Sequence, residues 1–473
     1  MSLKIFNTLS RKKEKFVPLK KGEVGIYVCG PTVYNFIHLG NARPFIVFEV
    51  VRRYLKFKGY KVKYIQNITD IDDKMINKAN ELKITVSDLA ERFIKEFFID
   101  SDSVNIERAD IHPRATEHIK EIIEFVKGLI KKRYAYVVDG DVFFDVSKFS
   151  KYGKLSGQNI EELKSGARVE VDERKREAID FALWKKAKKG EPSWSSPWGK
   201  GRPGWHIECS AMSNKYLGAS FDIHAGGSDL IFPHHENEIA QSEAFTDKPF
   251  VKYWMHNGYI CLDNQKMSKS LGNIMKVREI RQKYEGEVIR YFILSAHYRS
   301  PLNFSEEQLQ QAQASLQRLN NILFNIKYLL EKEKFKDIKD NDDKYIMGKI
   351  AESEQQFIIA MDDDFNTPVA LSRLFGFARE VNIYLNSTGL KNKMVLGKIY
   401  EFYQSFAGKI LGILKEDNSE ESSEQEIEDL IIEREELRKA RNWKRSDQIR
   451  DMLKEKGVIL EDTPEGVRWK KTK

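Results

Sequence analysis

The order of hydrophobic and polar residues predicts alternating strands and helices at the start of the chain. Residues 23–30 (EVGIYVCG) are predicted to form a short apolar strand, and residues 31–41 a loop rich in turn-forming residues. Residues 42–58 then carry apolar side chains at helical spacing as far as Gly59, a natural helix terminator, and a second strand is predicted at 61–67. A strand, a loop, a helix and a strand make up the βαβ unit of a parallel sheet, so the front of the chain is predicted to be α/β.

Residues 131–203 interrupt this pattern. They contain strand-like segments at 134–138 and 142–146, and residues 190–204 are rich in glycine, tryptophan and proline. The α/β pattern resumes at residues 221–225. We therefore predict an insertion that splits the first domain.

Helices with polar caps are predicted after residue 305. Ser305-Glu-Glu-Gln308 has the spacing of a capping box, and Thr367-Pro368 supplies an N-cap followed by proline at the first helical position. An acidic, serine-rich linker at 416–429 leads into a helix at about 427–456, and a small hairpin is predicted at 458–470. The second half of the chain is therefore expected to be mainly helical.

Composition narrows the range of protein classes. The 473 residues exceed what one hydrophobic core usually holds, and 41% hydrophobic residues exclude wholesale disorder. Three cysteines are too few for a disulfide framework and favour a reducing cytoplasm. Residues 1–21 hold many lysines and no apolar segment, so no signal peptide is expected. The longest apolar runs, such as 45–51, are too short to span a bilayer, so no membrane association is expected. The formal net charge of +8 permits a polyanionic partner.

Two short motifs suit phosphate chemistry. His38-Leu39-Gly40-Asn41 lies where a strand leads into a helix, and unpaired N–H groups at a helix N-terminus bind phosphate. On this tetrapeptide alone an ordinary helix start is the better interpretation. Lys266-Met-Ser-Lys269-Ser is more specific, because two lysines three residues apart on a loop can stabilise the charge of a departing pyrophosphate. A solvated basic loop is the alternative to this interpretation.

A third group of residues has the chemistry of a metal site. His234 and Glu238 are four residues apart and therefore lie on one face of a helix. Cys29 and Cys209 supply two thiolates, and a set of Cys, Cys, His and Glu suits zinc. Two small buried cysteines and a polar helix start explain the same residues, so both interpretations stay open at this point.

Together these motifs resemble the class I aminoacyl-tRNA synthetases, and finer strings resemble the cysteinyl-tRNA synthetase family over nearly the whole chain. The strings are YVCGPTVY at 27–34, NITDIDD at 67–73, GWHIECSAM at 204–212, DIHAGGSD at 222–229, FPHHENE at 232–238, MDDDFNT at 361–367 and LEDTPEG at 460–466. The first signature often ends in a second histidine in that family, and this chain has Asn41 there. An amide still donates a hydrogen bond, so adenylation is expected to be intact.

The resemblance implies a cysteine–tRNA ligase that uses ATP with Mg²⁺ and one Zn²⁺ per subunit. It places zinc on Cys29, Cys209, His234 and Glu238, and it places Thr69, Trp205, His224 and Asp229 around the substrate cysteine. It assigns ATP binding to His38, Gly40, Asn41, Lys266 and Lys269, with the catalytic role on His38, Asn41, Lys266 and Lys269. The implied partners are ATP, L-cysteine and tRNA(Cys), and the family tends to be monomeric.

The predicted fold is α/β, a Rossmann-like parallel-sheet catalytic domain split by an insertion and followed by a helical bundle and a small C-terminal α+β domain. The boundaries are 1–125 for the first catalytic half, 126–204 for the insertion, 205–304 for the second catalytic half with the KMSKS loop, 305–415 for the helical anticodon-stem and anticodon-binding bundle, and 416–473 for the linker and anticodon-recognition domain.

Rival functions remain for a chain with these motifs. A shorter relative of the family joins cysteine to an amino sugar and has no use for an anticodon reader. A zinc-stabilised RNA-binding protein needs neither signature motif, and a simple adenylyltransferase needs no metal group. The C-terminal basic and aromatic residues favour RNA: Arg434, Arg438, Lys439, Arg441, Lys444, Arg445, Arg450, Trp443 and Trp469.

Overall fold

The computed structural model describes most of the chain. The described residues are 2–159, 173–262, 265–266, 274–332, 335–336, 340–414, 427, 430–432, 434–435, 437–438, 443–455, 457–463 and 466–471. Within them, none of the helices has both the length and the apolarity that crossing a bilayer requires.

Strands and helices alternate in the first half of the chain, and helices dominate the second. The strands are β1 (Lys4–Asn7), β2 (Lys12–Lys15), β3 (Glu23–Val28), β4 (Lys61–Gln66), β5 (Ala135–Val138), β6 (Asp141–Phe144), β7 (Phe181–Lys186), β8 (Trp194–Ser196), β9 (Gly199–Pro203), β10 (Phe221–Gly227), β11 (Val251–Asn257), β12 (Ile260–Leu262), β13 (Gln265–Lys266), β14 (Leu302–Phe304), β15 (Val458–Thr463) and β16 (Gly466–Lys471). The helices are α1 (Leu39–Phe57), α2 (Asp73–Leu82), α3 (Val86–Asp102), α4 (Ile119–Lys131), α5 (Trp205–Leu217), α6 (Glu236–Thr246), α7 (Val277–Arg281), α8 (Gly286–Leu294), α9 (Glu306–Lys332), α10 (Asn341–Asp362), α11 (Thr367–Asn386), α12 (Lys393–Tyr403) and α13 (Trp443–Glu455).

A parallel sheet in the order β11-β10-β3-β4 forms the centre of the first half. Strand β3 pairs with β4 on one side and with β10 on the other, and Ile26 lies opposite both Tyr64 and Ile223. Two stretches of chain far apart in sequence therefore form one sheet. This arrangement confirms the predicted α/β fold with a split parallel sheet.

The intervening residues fold as a separate antiparallel sheet in the order β5-β6-β7-β9-β8. Its buried residues Phe144 and Trp184 belong to the same hydrophobic cluster as Tyr27 and Cys209. The insertion therefore packs on the part of the chain that holds the predicted metal ligands. The five proposed domain boundaries themselves stay predictions.

Helix α1 begins at Leu39, so the prediction of a loop as far as Asn41 was wrong by three residues. His38 is the N-cap: its Nδ1 accepts the Asn41 N–H at 3.2 Å, while Asn41 Oδ1 accepts the His38 N–H at 3.4 Å. This is a reciprocal capping box, built here from histidine and asparagine instead of the usual serine and glutamate. At the other end, Gly59 has a φ of +87°, which ends the helix as predicted.

The helical half is attached to the sheet through the turn between α10 and α11. Asp362 accepts hydrogen bonds from the hydroxyl of Tyr54 on α1 at 2.7 Å and from the ammonium of Lys58, the C-cap of α1, at 3.1 Å. The Thr367 hydroxyl donates to the Leu294 carbonyl at 2.7 Å. Because Thr367 is engaged there, the N-cap of α11 is Asn366 and not Thr367, which corrects the prediction.

Asp364 lies at the centre of this attachment. Its side chain is fully buried and accepts the backbone N–H of Phe6 at 2.8 Å, the Tyr298 hydroxyl at 2.8 Å and Arg299 Nε at 2.9 Å. The neighbouring Asp363 pairs with Lys13 at 2.7 Å, but its side chain is 53% exposed. The two adjacent aspartates therefore have different roles. The buried carboxylate of Asp364 holds three groups of the chain together, whereas that of Asp363 forms an exposed ion pair.

Asp364→Asn is expected to lower the free energy of unfolding by about 2 kcal/mol or more, because an amide N–H would face the Arg299 guanidinium in a buried site. Asp363→Asn is the matched control and is expected to cost less than about 1 kcal/mol, as exposed ion pairs usually do. Urea unfolding of both variants measures the difference. Equal losses would contradict the role given to Asp364.

Candidate active site and metal centre

Several of the predicted site residues lie at or near the carboxyl ends of β3 and β10. Cys29 directly follows β3, and His224 lies within β10. Gly30 permits this arrangement, because a Cβ at that position would lie 1.6 Å from the Asn67 carbonyl oxygen. Ligands of open parallel sheets bind at this edge, so the location is that of a functional site.

Four side chains from four segments converge there. Single ligand atoms of Cys29, Cys209, His234 and Glu238 all lie within 4.8 Å of one another, and all four residues are buried. His234 Nε2 lies 3.0 Å from Glu238 Oε1, and Cys29 Sγ lies 3.8 Å from the same oxygen. Two thiols, an imidazole and a carboxylate are a donor set that fits zinc.

Local structure explains how these side chains meet. Cys209 lies in the second turn of α5, and Glu238 lies in the first turn of α6. His234 precedes α6 in a wider turn spanning Ile231–His235, so it reaches Glu238 as predicted although it lies outside the regular helix. Gln241 on α6 donates to the His206 carbonyl at 3.1 Å and fixes α6 against α5.

Charges and hydrogen bonds within the cluster favour the ionised, negatively charged forms of Glu238 and Cys209. Burial opposes the charge on Glu238, but His224 and His234 lower the pKa of this carboxyl to about 2. A hydrogen bond from Cys29 lowers the pKa of Cys209 to about 6. Burial and the neighbouring Cys209 raise the pKa of Cys29 well above its ordinary value. Cys209 therefore ionises more readily than Cys29.

Further side chains surround the cluster. The indole of Trp205 stacks on the His234 ring with centroids 4.5 Å apart, and Trp205 is 40% exposed. His206 Nδ1 lies 2.9 Å from His234 Nδ1. Because the contact with His206 engages His234 Nδ1, His234 Nε2 is left to face the cluster. The Trp205 indole covers the His234 ring from solvent.

The four residues predicted to surround the substrate cysteine differ in where they lie relative to the metal cluster. His224 is buried with Nε2 2.8 Å from Glu238 Oε2, so it joins the cluster together with Trp205. The Thr69 hydroxyl donates to Glu208 Oε2 at 3.0 Å, next to Cys209 in sequence. Asp229 is exposed beyond β10, in the short helix Ser228–Leu230, and makes no contact with the cluster that the structure shows.

The phosphate motifs are described only in part. The amide of Asn41 is engaged in the α1 cap through Oδ1, and a Cβ at Gly40 would lie 3.0 Å from His38 Nδ1. Lys266 lies in the hairpin strand β13, where its backbone pairs with Cys261. The Lys266 side chain and the whole of Lys269 lie outside the described residues.

Arg43 lies on α1, the helix that begins in the His38–Asn41 motif. It binds the residues just before β12, the strand that pairs with β13 of the KMSKS motif. Its guanidinium is fully buried and donates to the carbonyls of Gly258 and Tyr259 at 2.9 Å and of Ser300 at 2.6 Å. Burial lowers its pKa to about 10. Sequence reasoning missed this residue, because an arginine in an apolar helical pattern suggests only a solvated side chain.

Sequence reasoning also missed His235, His256 and Glu208. His235 Nε2 lies 3.2 Å from Cys29 Sγ, and its Nδ1 lies 2.8 Å from His256 Nε2. Burial raises the pKa of Glu208 well above its ordinary value. The two adjacent histidines at 234 and 235 could have indicated that His235 also lies at the site. The prediction used only the four-residue spacing to Glu238, which His234 alone satisfies.

Comparison with known proteins identifies the family. Residues 15–314, more than half of the chain, match the family described as "tRNA synthetases class I (C) catalytic domain", and residues 356–415 match the DALR domain. The chain belongs to the class I aminoacyl-tRNA synthetases. As a synthetase of this class it charges tRNA with an amino acid at the expense of ATP.

Solved structures agree with the fold of the synthetase. A Mycobacterium tuberculosis methionyl-tRNA synthetase in complex with methionyl-adenylate superposes with a TM-score of 0.62 at 15% identity, covering 82% of this chain and 93% of the other. The LeuRS of Agrobacterium radiobacter K84, in a ternary complex with tRNA and LeuAMS, gives 0.59 at 10% identity, covering 84% and 85%. At such identities the likeness shows the fold alone.

Gly30→Ala is expected to destabilise the synthetase by about 2 kcal/mol or more, because the new Cβ collides with the Asn67 carbonyl. Gly348→Ala is the matched control: it lies on α10 with open space around its Cβ position, so it should be neutral or stabilise by up to about 1 kcal/mol. Thermal unfolding measures both changes. A Gly30 variant as stable as the wild type would contradict the close approach of β3 to Asn67.

Proposed function

We propose that the synthetase activates L-cysteine and transfers it to the terminal ribose of tRNA(Cys). The observation that carries this proposal is the buried cluster of Cys29, Cys209, His234 and Glu238 at the carboxyl end of the central sheet. A thiophilic centre at the amino acid site of a tRNA-charging enzyme has an evident use when the substrate itself carries a thiol.

The chemical argument concerns the rejection of serine. Serine and cysteine differ by one heavy atom, and a pocket that recognises shape alone discriminates such near-isosteres poorly. One Zn²⁺ held by these four residues would bind the substrate as a thiolate, because the metal lowers the pKa of a thiol and forms a strong bond to sulfur. A serine hydroxyl neither ionises nor binds comparably, so no editing domain is required.

The remaining residues of the pocket would position the amino acid. Trp205 stacks on His234 and remains partly exposed, so it forms a lid over the substrate side chain. His224 lies against Glu238, and there it would contact the substrate sulfur. We assign Thr69 to the floor of the pocket and Asp229, at its exposed rim, to the substrate ammonium group.

Activation requires charge stabilisation at the ATP phosphates. His38, Gly40 and Asn41 at the N-terminus of α1 would hold the phosphates through N–H groups and the helix dipole. Lys266 and Lys269, with the Mg²⁺ that accompanies ATP, would neutralise the departing pyrophosphate while the cysteine carboxylate attacks the α-phosphorus. A terminal ribose hydroxyl of the tRNA then attacks the adenylate carbonyl and releases AMP.

The second half of the synthetase supports tRNA rather than a small molecule as acceptor. The DALR match at 356–415 lies within the helical half, and Asp362 and Asp364 anchor that half to the catalytic part. A ligase for an amino sugar has no use for such a unit. We infer that the helical bundle and the C-terminal domain read the anticodon region.

The three cysteines are all free thiols, which supports a reducing, cytoplasmic location. The cysteinyl-tRNA synthetase family that this chain resembles tends to be monomeric. We therefore propose a synthetase that works as a monomer.

Cys209→Ser is expected to lower the zinc content of the purified synthetase by more than about tenfold, because it removes one of two thiolates from the site. Cys261→Ser is the matched control, since Cys261 is equally buried but lies in β12 outside the cluster. Elemental analysis after dialysis against a chelator, with cysteine-dependent ATP–pyrophosphate exchange, measures both properties.

The proposal fails if Cys209→Ser retains its metal and its exchange activity, or if Cys261→Ser loses as much of each. It also fails if wild-type exchange with serine equals exchange with cysteine, since the proposed discrimination depends on sulfur.

Lys269→Ala is expected to lower kcat for ATP–pyrophosphate exchange roughly 100-fold, which corresponds to about 3 kcal/mol of lost stabilisation of the departing pyrophosphate. Lys283→Ala removes an exposed lysine that pairs with the exposed Glu306 at 3.2 Å and should leave kcat unchanged. Steady-state exchange kinetics measure both. Equal kcat values in the two variants would exclude Lys269 from the chemistry.

A further inference from the structure

The segment that leads into α1 lies against the segment that leads into α7. The Leu39 N–H donates to the Met275 carbonyl at 2.9 Å, and the Val277 N–H donates to the Ile37 carbonyl at 3.1 Å. These two hydrogen bonds flank His38 and belong to an antiparallel bridge between the two segments. The start of α1 is therefore held in place by residues that are far away in sequence.

Arg278, the second residue of α7, adds side-chain contacts beside this bridge. Its guanidinium lies over the Phe36 ring, with Cζ 3.5 Å from the ring centroid. Its Nη2 also donates to Glu96 Oε2 at 2.5 Å and to Asp100 Oδ1 at 3.0 Å, both on α3. One arginine thus connects α3 and α7 to the residue that lies two positions before His38.

The pairing of Arg278 with Asp100 reaches into the interior. The Asp100 side chain is only 3% exposed, whereas that of Arg278 is 31% exposed. Burial raises the pKa of the Asp100 carboxyl, while Arg278 and the backbone N–H of Ile37 act to lower it. A buried carboxylate depends on a cation beside it, because an uncompensated charge is costly in a protein interior. Asp100 therefore couples Arg278 to the backbone immediately before His38.

Helix α3 also contacts Phe36 directly. The Phe36 ring packs edge-on against the buried Phe93 ring, with centroids 5.3 Å apart and 77° between the ring planes. Arg278 and Phe93 both contact this ring, so α3 and α7 together determine where Phe36 lies. Without the guanidinium, only one of these two contacts would remain.

The position of this segment matters for the binding of phosphate. The N–H groups and the dipole of a helix act on an anion only at its first turn. Binding groups need to be held to within about 0.5 Å of the productive geometry. Because His38 and the first turn of α1 directly follow the residues that Arg278 contacts, a shift of Phe36 would displace the donors themselves.

We propose that Arg278 is a positioning residue for ATP, which fixes the segment before α1 so that His38 and the first helical turn face the phosphates. Arg278 acts through Phe36 and Asp100 and needs no contact with ATP. This inference rests on the proposed assignment of the phosphates to the motif at the start of α1. It does not depend on which amino acid the synthetase activates.

Isothermal titration of the purified synthetase with ATP and Mg²⁺, without an amino acid, tests this proposal. Arg278→Gln is expected to raise the Kd for ATP at least about fivefold, because the phosphate donors are displaced. A merely structural role would lower the number of binding sites per chain, since less protein is folded, and would leave the Kd unchanged.

Arg281→Gln is the matched control. Arg281 lies one turn later on α7, and its guanidinium donates to the Tyr284 carbonyl at 2.7 Å instead. This variant should keep the Kd for ATP within about twofold of the wild type. Phe36→Leu is a second variant in case Arg278→Gln does not fold. It removes the ring under the guanidinium, leaves both ion pairs of Arg278 intact, and is expected to raise the Kd at least about threefold.

His38→Asn separates this inference from the proposed phosphate site, because asparagine caps a helix well but lacks the imidazole. A raised Kd in His38→Asn with an unchanged Kd in Arg278→Gln, or in Phe36→Leu if only that variant folds, would overturn this inference alone. A Kd raised equally by Arg281→Gln would overturn it as well. An unchanged Kd in His38→Asn would contradict the phosphate site, and with it the role given to Arg278.

Discussion

A buried carboxylate without a permanently charged partner constrains the centre of this synthetase. Glu238 is fully buried and contacts imidazoles and a thiol, with no lysine or arginine beside it in the described part of the chain. Such a group is unstable in a protein interior unless a cation or several protonated histidines compensate it. The pair of cysteines beside it makes a metal ion the natural compensation, and the proposed selection of cysteine follows from that ion.

The fold brings the proposed metal ligands together from separate elements. Cys29 follows the third strand, Cys209 lies on the helix after the insertion, and Glu238 lies on the next helix. The parallel pairing of β3 with β10 closes the distance between them. Arg43 ties α1 to the residues that follow β11, and Asp364 ties β1 to the segment before β14.

Local patterns in the sequence were sufficient for the central strands, for the Ser305 cap of α9 and for the interruption of the α/β pattern, because each is encoded by neighbouring residues. Ser305 caps α9 by accepting the N–H of Gln308 at 3.3 Å, as its spacing predicted. The contacts of His235 with Cys29 and of His256 with His235 join residues far apart in the chain, and only the folded sheet creates them. The true caps His38 and Asn366 were missed for a related reason: histidine is a rare cap, and Thr367 is used by a tertiary contact.

X-ray absorption at the zinc edge of the purified synthetase tests the central claim most directly. The account predicts two sulfur ligands at about 2.3 Å from zinc in the free enzyme and three after L-cysteine is added, with no change on adding L-serine. A zinc-free active enzyme, or a sulfur count that does not rise with cysteine, would contradict it.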